Sequence, residues 1–476
     1  IIIEGLIRKW NTIRMKRVVN SILVFLISLN GFAQAVDTFI FNEARFLKQV
    51  YDFAPAVRNS NLEVDIQNQE WLAAKSAFEP KFIAGFDRKN IDSKTYYNKL
   101  DAGLEVKTPI GVKVSGGYAD NNGVFLNPES NVPVQGLVYA GIEVPLGAGM
   151  FTDAERTLVK QQRLESDAAT LLNTLEVNDH LLESGEAYWD WYEGVMLLSL
   201  SQEAIVLAQN RLRLVSRKNR IGEAADIDTL EAFINFQNRQ AFLLESTVKW
   251  EKFRNKVQNY IWIPEMTREL LAPEVDLDYT VTLPDSFTER EMTRLHPLIS
   301  LLNTDSLINR ASLILAREFY KPQVDLAFKL QEDGGTVGDF DYNPQQNNYI
   351  GINLYMPILL RKQRAKANQS LIKEQIIGNK KQEMIVKITN AQRTFHNNTL
   401  NLKETIDLWN VASTNYKALL DAEQTKFRLG ESSLFIVNTR EQKWIFAREK
   451  YIKRYAEYRK SILRYYHSMG ILPKMI

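Results

Sequence analysis

The sequence predicts a mainly α-helical protein with pairs of amphipathic strands, built from one structural unit that occurs twice. Two long stretches contain no proline, between Pro145 and Pro264 and between Pro357 and Pro473, which indicates very long helices. A segment of alternating apolar and polar residues precedes each stretch and indicates a strand. The order helix, strand, strand, long helical hairpin is therefore predicted once in each half of the chain.

The duplication is visible as matched residues at a constant spacing of 242 positions. Four pairs of equal or similar residues share this spacing: Pro55 with Pro297, Ala74 with Ala316, Phe78 with Tyr320, and Pro80 with Pro322. In each half, a helix with a proline near its start is therefore predicted to run into a strand that begins after a proline.

Two strands are predicted in each repeat, at residues 82–86 and 138–144 in the first and 324–330 and 350–356 in the second. Their alternation gives each strand one apolar face and one more polar face. Residues 88–136, between the two strands of the first repeat, contain further alternation and turn-forming residues. This segment is predicted to be a long surface loop with a further hairpin, and the sequence leaves open whether it adds strands to a barrel.

Each proline-free stretch is interrupted near its middle by a glycine, which predicts a helical hairpin that turns there. The two turns read Arg220-Ile221-Gly222-Glu223 and Arg428-Leu429-Gly430-Glu431. Glycine just past a helix end is a common cap because it tolerates positive φ. The ascending helices, at about residues 151–219 and 361–427, would each be about 100 Å long and would need coiled-coil packing.

The N-terminal residues predict a secretory signal peptide. A basic start at residues 15–17 is followed by an apolar run at 18–29 and by the cleavage pattern Ala33-Gln34-Ala35. We therefore expect residues 1–35 to be upstream residues and a cleaved signal peptide. The first repeat is then predicted at 36–262, a linker with a short strand around 275–281 at 263–287, and the second repeat at 288–472.

Composition argues against several classes of function. The chain has 59 basic and 57 acidic residues, and this balance argues against nucleic acid as a partner. It contains no cysteine, and its four histidines are scattered without metal-ligand spacing. We therefore expect no enzymatic activity, no metal and no cofactor. An exported chain without an apolar spanning helix is periplasmic, secreted, or a β-barrel of the outer membrane.

The order of these elements resembles the TolC family of outer-membrane efflux proteins over essentially the whole mature chain. The resemblance depends on the duplication, the two glycine turns, and the prolines that flank the strands, namely Pro80, Pro145, Pro322 and Pro357. It implies a homotrimer in which two strands from each repeat close a twelve-stranded transmembrane β-barrel, continued by an α-helical tunnel through the periplasm.

The same resemblance implies a passive channel in the outer membrane of a Gram-negative bacterium, surrounded by outer-membrane lipid. Its partners would be a periplasmic adaptor and, indirectly, an inner-membrane transporter of the RND or ABC type. The cargo would be small molecules or secreted protein. Two alternatives remain from the residues themselves. One is a periplasmic adaptor, which usually has a single helical hairpin, and the other is a structural coiled-coil protein, which would not need matched strands.

By position, the resemblance places contacts with the adaptor at the two turns. These residues are Arg220, Ile221, Gly222, Glu223, Arg428, Leu429, Gly430 and Glu431. Each glycine also caps its helix, and each arginine is a favourable charge near a helix C-terminus. Capping is expected at both turns in any case, and contact with the adaptor is the additional role that the resemblance implies.

The tunnel gate of the family is only partly present in this sequence. The two positions that carry acids in well-known members hold Ile436 and Thr439, so the usual acidic ring is absent. Asp228 matches a family acid that helps to close the gate, but the position of its tyrosine partner holds Phe427. We expect apolar contacts of Phe427 and Ile436 to hold the closed state. Asp228 is either a gate residue or a favourable charge at a helix N-terminus.

Overall fold

The computed structural model describes residues 39–262, 271–273, 288, 291, 294–336 and 346–476. The expected signal peptide and the expected strand at 275–281 lie outside these residues. The described elements, in chain order, are β1 (Phe39–Phe41), α1 (Glu43–Phe53), α2 (Pro55–Lys75), β2 (Lys81–Ile91), β3 (Lys94–Lys107), β4 (Lys113–Asn122), β5 (Leu137–Pro145), α3 (Ala154–Arg220), α4 (Asp226–Gln258), β6 (Leu271–Pro273), α5 (Pro297–Glu318), β7 (Gln323–Asp333), β8 (Asn348–Tyr355), α6 (Arg361–Leu429) and α7 (Leu434–Ser468).

The helical part confirms the predicted duplication. Pro55 and Pro297 each occupy the first turn of a helix, α2 and α5, where a missing backbone N–H costs nothing. The long helices α3 and α6 contain 67 and 69 residues, so each is about 100 Å long. Their C-terminal halves pack on the returning helices α4 and α7, and their N-terminal halves pack on α2 and α5. No helix in the described part of the chain is both long and apolar enough to cross a membrane.

The strands form a single antiparallel sheet in the order β2, β3, β4, β5, β7, β8, apart from a short parallel pair of β1 with β6. The first repeat contributes four of these six strands rather than the two expected. Residues 88–136 contain the expected further hairpin, but its two strands, β3 and β4, are integral to the sheet and do not belong to a surface loop. The rest of the segment completes β2 and connects the strands. The turn between β2 and β3 has two residues, Asp92 and Ser93, both with positive φ, which is the geometry that closes a tight hairpin.

One face of this sheet is apolar across all six strands, and the opposite face is polar or small. The register places apolar residues of successive strands side by side, in rows such as Val114, Ile142, Phe328 and Ile350 or Val144, Leu326 and Ile352. Most apolar side chains of this face are exposed or half-buried in a single copy of the chain. The opposite face carries charged residues from every strand but the last, among them Asp87, Glu105, Lys113, Glu143 and Lys329.

The main hydrophobic core lies where α1, α3 and α7 meet. Three aromatic residues of α3, Tyr188, Trp189 and Tyr192, are buried there with Tyr455 of α7 and Phe46 of α1. Ring centroids lie 5.2 to 5.7 Å apart with tilted or edge-on planes, which is the favourable arrangement of aromatic rings. The cluster thus fixes α7, the returning helix of the second repeat, to the middle of α3, the ascending helix of the first repeat.

Candidate functional site

The two helical turns adopt the same local geometry. Gly222 and Gly430 have φ values of 79° and 84°, as their predicted capping role requires. In each turn, the N–H of the residue after the glycine donates to a carbonyl of the last helical turn. Glu223 donates to the Lys218 carbonyl at 2.8 Å, and Glu431 donates to the Lys426 carbonyl at 2.9 Å. Both helices therefore end in a closed glycine cap, and the two tips are equivalent.

Both tips expose large apolar side chains. Ile221 and Leu429, which precede the two glycines, are 66% and 70% exposed. Ile227 and Phe435, near the starts of the returning helices, are 73% and 67% exposed. Scattered exposed apolar residues are ordinary, but these four sit at equivalent places beside the two turns. The tips thus combine a rigid backbone turn with apolar surface and flanking charges.

Asp228 belongs to the start of α4 and contacts its own backbone. Its carboxylate accepts a hydrogen bond from the Ala225 N–H at 3.2 Å, which satisfies one of the free donors of the helix start. The negative charge also lies at the positive end of the helix dipole. The second interpretation drawn from the sequence, a favourable charge at a helix N-terminus, therefore has a direct structural basis in this copy of the chain.

The other three gate candidates lie on α6 and α7 around the second turn. Phe427 is partly buried and packs against a small apolar cluster whose members, Val215, Ala232 and Leu434, come from α3, α4 and α7. Ile436 is 39% exposed in a single copy of the chain. The Thr439 hydroxyl donates to the Phe435 carbonyl one turn earlier, at 2.8 Å.

A buried ionic network joins the two hairpins within about 20 Å of the tips. Glu441 on α7 is fully buried and accepts from two arginines, Arg211 of α3 and Arg239 of α4, the second at 3.0 Å. Arg211 also donates to the side chain of Asn438 at 2.7 Å, and Asn438 in turn donates to Glu231 of α4 at 2.8 Å. The network thus ties α7 of the second repeat to both helices of the first.

Sequence reasoning did not assign this network a role. The signal was present at Arg211, which interrupts an otherwise apolar 3-4 pattern formed by Leu200, Ala204, Leu207 and Leu214. A charged residue in such a seam needs a buried partner, because an unpaired buried charge is very costly. The sequence pattern does not identify that partner, because it depends on how the helices pack. In the structure the partner is Glu441, 230 positions away.

The described part of the chain holds no group of three or more His, Asp or Glu side chains that could bind a metal ion. Its histidines make separate structural contacts. His296 caps α5, and His467 contacts Asp179 at 2.6 Å. His180 and His396 each lie beside a tyrosine ring.

No family model matches the sequence, and no characterised protein matches it significantly. Solved structures do match over nearly the whole chain. CmeC, an outer membrane channel of Campylobacter jejuni, has 13% sequence identity and a TM-score of 0.65, covering 90% of this chain and 85% of its own. The MtrE outer membrane channel of Neisseria gonorrhoeae, in its open state, has 12% identity and a TM-score of 0.66, covering 90% of this chain and 88% of its own.

VceC, an outer membrane protein of Vibrio cholerae, has 10% identity and a TM-score of 0.63 over 90% of this chain and 96% of its own. The class defined by these comparisons is the TolC-like outer-membrane channel fold, and this chain has that fold. The resemblance noted in the sequence is therefore confirmed at the level of structure.

Proposed function

We propose that this chain is the subunit of a homotrimeric channel in the outer membrane of a Gram-negative bacterium, and that it belongs to a tripartite export system. The channel conducts passively. A periplasmic adaptor joins it to an inner-membrane transporter, which supplies the energy and selects the cargo, either small molecules or secreted protein.

The observation that carries this proposal is that the two ends of the long helices bear two different surfaces. At one end, a six-stranded sheet presents an apolar face that suits the lipid of an outer membrane. At the other end, about 100 Å away, two equivalent helical turns present apolar and charged side chains. A chain with these two ends is suited to connect the outer membrane to a partner within the periplasm.

The tips are the proposed site of adaptor contact. Ile221 and Leu429 are exposed apolar residues directly before the two glycines. Charged residues lie beside them, namely Arg220, Glu223, Arg428 and Glu431. We expect Ile221→Asp together with Leu429→Asp to abolish export in the native host without changing conductance in planar bilayers. Unchanged export would show that the tips are not the site of adaptor contact.

The gate is proposed to close through the tip helices, with Asp228, Phe427, Ile436 and Thr439 as its residues. Phe427 packs against an apolar cluster that α3, α4 and α7 build together, so a movement of these helices would change its surroundings. Asp228 fixes the first turn of α4 through its bond to Ala225. The absence of an acidic ring makes this entrance less selective for cations than one lined with carboxylates.

The experiment that tests the proposal combines fractionation, electron microscopy and conductance. The supporting result is a protein of the outer-membrane fraction that forms three-fold particles with a hollow stem of about 100 Å and conducts ions in planar bilayers. A monomeric protein confined to the soluble periplasm would overturn it and favour the adaptor alternative. A non-conducting coiled-coil assembly would favour the structural alternative.

A further inference from the structure

We propose that three copies of this chain close a barrel of eighteen strands rather than twelve, with β2 of one copy paired to β8 of the next. The count follows from six strands in each of three copies. The inference depends on the proposed trimeric channel and adds to it the barrel size and the surface through which the copies join.

The hairpin formed by β3 and β4 is an integral part of the sheet. Strand β3 pairs with β2 from Lys81 opposite Glu105 to Ile91 opposite Lys94, and on its other side it pairs with β4 over its whole second half and beyond. Strand β4 pairs in turn with β5, from Lys113 opposite Glu143 onward. Removing β3 and β4 from the barrel would therefore break the hydrogen-bond ladders with β2 and with β5. The backbone N–H and C=O groups freed in this way would be left without partners in the lipid, which is very costly.

The same hairpin is also anchored at the end of the sheet that faces the helices. Arg156, on the first turn of α3, donates to the Ile110 carbonyl at 3.3 Å and to the Met150 carbonyl at 3.2 Å. Ile110 lies in the turn between β3 and β4. This turn is thus bound to the start of the long helix, at the level where β5 ends, as expected for strands that share one barrel rim.

The apolar face of the sheet continues over the inserted hairpin. Strand β3 contributes Leu100, Leu104 and Val106 to this face, and β4 contributes Val114 and Tyr118. Polar or small residues alternate with them on the opposite face. A hairpin that lay outside the lipid would have no physical reason to keep its apolar residues in line with those of its neighbours.

Among the strands that the structure describes, β2 and β8 are the two outer strands of the sheet, and each has one neighbouring strand. In a membrane the other edge of each strand requires a partner. All of β2 is exposed in a single copy. Strand β2 leads away from α2 and β8 leads back to α6, so β2 of one copy meets β8 of another in antiparallel orientation. The partner that fits both edges at once, in a closed ring, is a second copy of this chain.

The register of the sheet predicts how the edges meet. A line perpendicular to the strands that starts at Lys81 on β2 reaches Tyr349 on β8, six residues before the strand end at Tyr355. If Lys81 of the next copy pairs with Tyr355, the hydrogen-bond register is staggered by six residues for each copy. Around the closed ring of three copies, the total stagger is eighteen residues. With a rise of about 3.3 Å and a strand spacing of about 4.8 Å, the strands tilt by about 35°, as barrels require.

This alignment also matches the side chains. Phe82, Ala84 and Phe86 of β2 then fall opposite Leu354, Ile352 and Ile350 of β8, respectively, which places apolar residues opposite apolar residues across the junction. The apolar face becomes continuous around the ring. Because barrel diameter grows roughly in proportion to strand number, this barrel would be about 1.5 times as wide as one of twelve strands. Its open cross-section would be about twice as large.

Engineered disulfides test this arrangement, since the chain contains no cysteine of its own. The test variant carries Ala84→Cys and Ile352→Cys. Within one copy these positions lie at opposite edges, five strand spacings or about 24 Å apart, so only a bond between copies can form. The matched control carries Gly116→Cys and Ile352→Cys, because Gly116 on β4 would face Ile352 if only β4, β5, β7 and β8 formed the barrel.

The expected result is a covalent trimer from the Ala84 variant and none from the Gly116 variant, after oxidation of outer membranes. A covalent trimer from the Gly116 variant would overturn the eighteen-stranded barrel and leave the trimeric channel intact. A monomer outside the membrane would overturn both. Electron cryomicroscopy of the unmodified chain tests the count independently of any cysteine, with eighteen strands expected and twelve contradicting the inference.

Discussion

The ammonium group of Lys107 lies 2.8 Å from the carboxylate of Glu155 and 3.1 Å from that of Asp153, and so joins the end of β3 to the start of α3. Burial alone would raise the pKa of Asp153, but the hydrogen bond from the Arg156 N–H and the nearby Lys107 and Arg156 charges hold it below its usual value. The carboxylate is therefore charged, and the junction between sheet and helices is an ionic one.

We expect Lys107→Met to loosen this junction by about 1 kcal/mol, because one charge-assisted contact to a partly buried carboxylate is lost. The measurement is the midpoint of thermal unfolding in detergent. Lys48→Met is the matched control, since Lys48 forms an exposed pair with Asp52 at 3.5 Å and its loss should change nothing measurable. Equal effects of the two substitutions would contradict a role of Lys107 in the junction.

The glycine turns should be sensitive to any Cβ atom for conformational reasons alone. A Cβ added at Gly222 or Gly430 would meet nothing within 4 Å, yet both residues have positive φ. We expect Gly222→Ala and Gly430→Ala each to cost about 1 to 2 kcal/mol. Gly378 on α6 is the control, because it also faces open space but lies inside a helix. There, alanine should stabilise by about 0.5 to 1 kcal/mol. The same sign at all three positions would contradict this account.

The buried network predicts that Glu441→Gln is the most damaging single change near the tips. It leaves Arg211 and Arg239 without their shared carboxylate, and loss of one partner from a buried ionic group costs about 3 to 5 kcal/mol. Thermal unfolding measures this loss, and conductance should rise because α7 is no longer held to α3 and α4. Glu383→Gln, in an exposed pair with Lys387 one turn away, should change nothing measurable. A stable Glu441→Gln protein would show that the network is dispensable.

His296 predicts a pH-dependent stability. Burial lowers its pKa to about 4; the Ser468 carbonyl acts in the opposite direction and raises the pKa, whereas the nearby His467 lowers it further. The neutral ring accepts from the Leu298 N–H at 3.2 Å, and its other nitrogen lies 3.3 Å from the Ser468 carbonyl. Protonation would remove the acceptor that caps α5.

Because this folded-state pKa is depressed, the stabilisation by neutral His296 is complete above the unfolded pKa of about 6.5. It is lost as the pH falls toward 4, by up to about 3 kcal/mol. We expect the unfolding midpoint to drop over this interval in the wild type. His296→Asn, which keeps a capping acceptor but cannot titrate, should remove that part of the slope. An unchanged slope would assign the pH dependence to other groups.

Asp228 can be tested by separating its charge from its capping bond. Asp228→Ala removes both, whereas Asp228→Asn keeps an oxygen that can accept from Ala225. We expect single-channel conductance to rise in the alanine variant and to stay unchanged in the asparagine variant. An equal rise in both would show that the charge itself closes the gate, and no rise in either would remove Asp228 from it.

The helical architecture could be predicted because its signals are local. Pro55 and Pro297 mark helix starts, Gly222 and Gly430 mark turns, and long proline-free stretches mark the helices between them. The sheet was harder to predict. Alternation around Leu104 and Val114 was visible in the sequence, but alternation alone does not state which strands are neighbours. Whether the segment 88–136 adds strands to the sheet therefore follows only from the strand pairing of β3 and β4 in the structure.

The duplicated unit, the positions of the helical turns and the apolar face of each strand follow directly from the order of the amino acids. These properties depend on residues close together in the chain, through backbone dihedral preference and periodicity. In contrast, the sharing of one sheet by six strands and the neutralisation of Arg211 by Glu441 across 230 positions depend on how the chain folds. Such choices follow from the packing of distant segments, where one sequence pattern is compatible with several partners and burial selects among them.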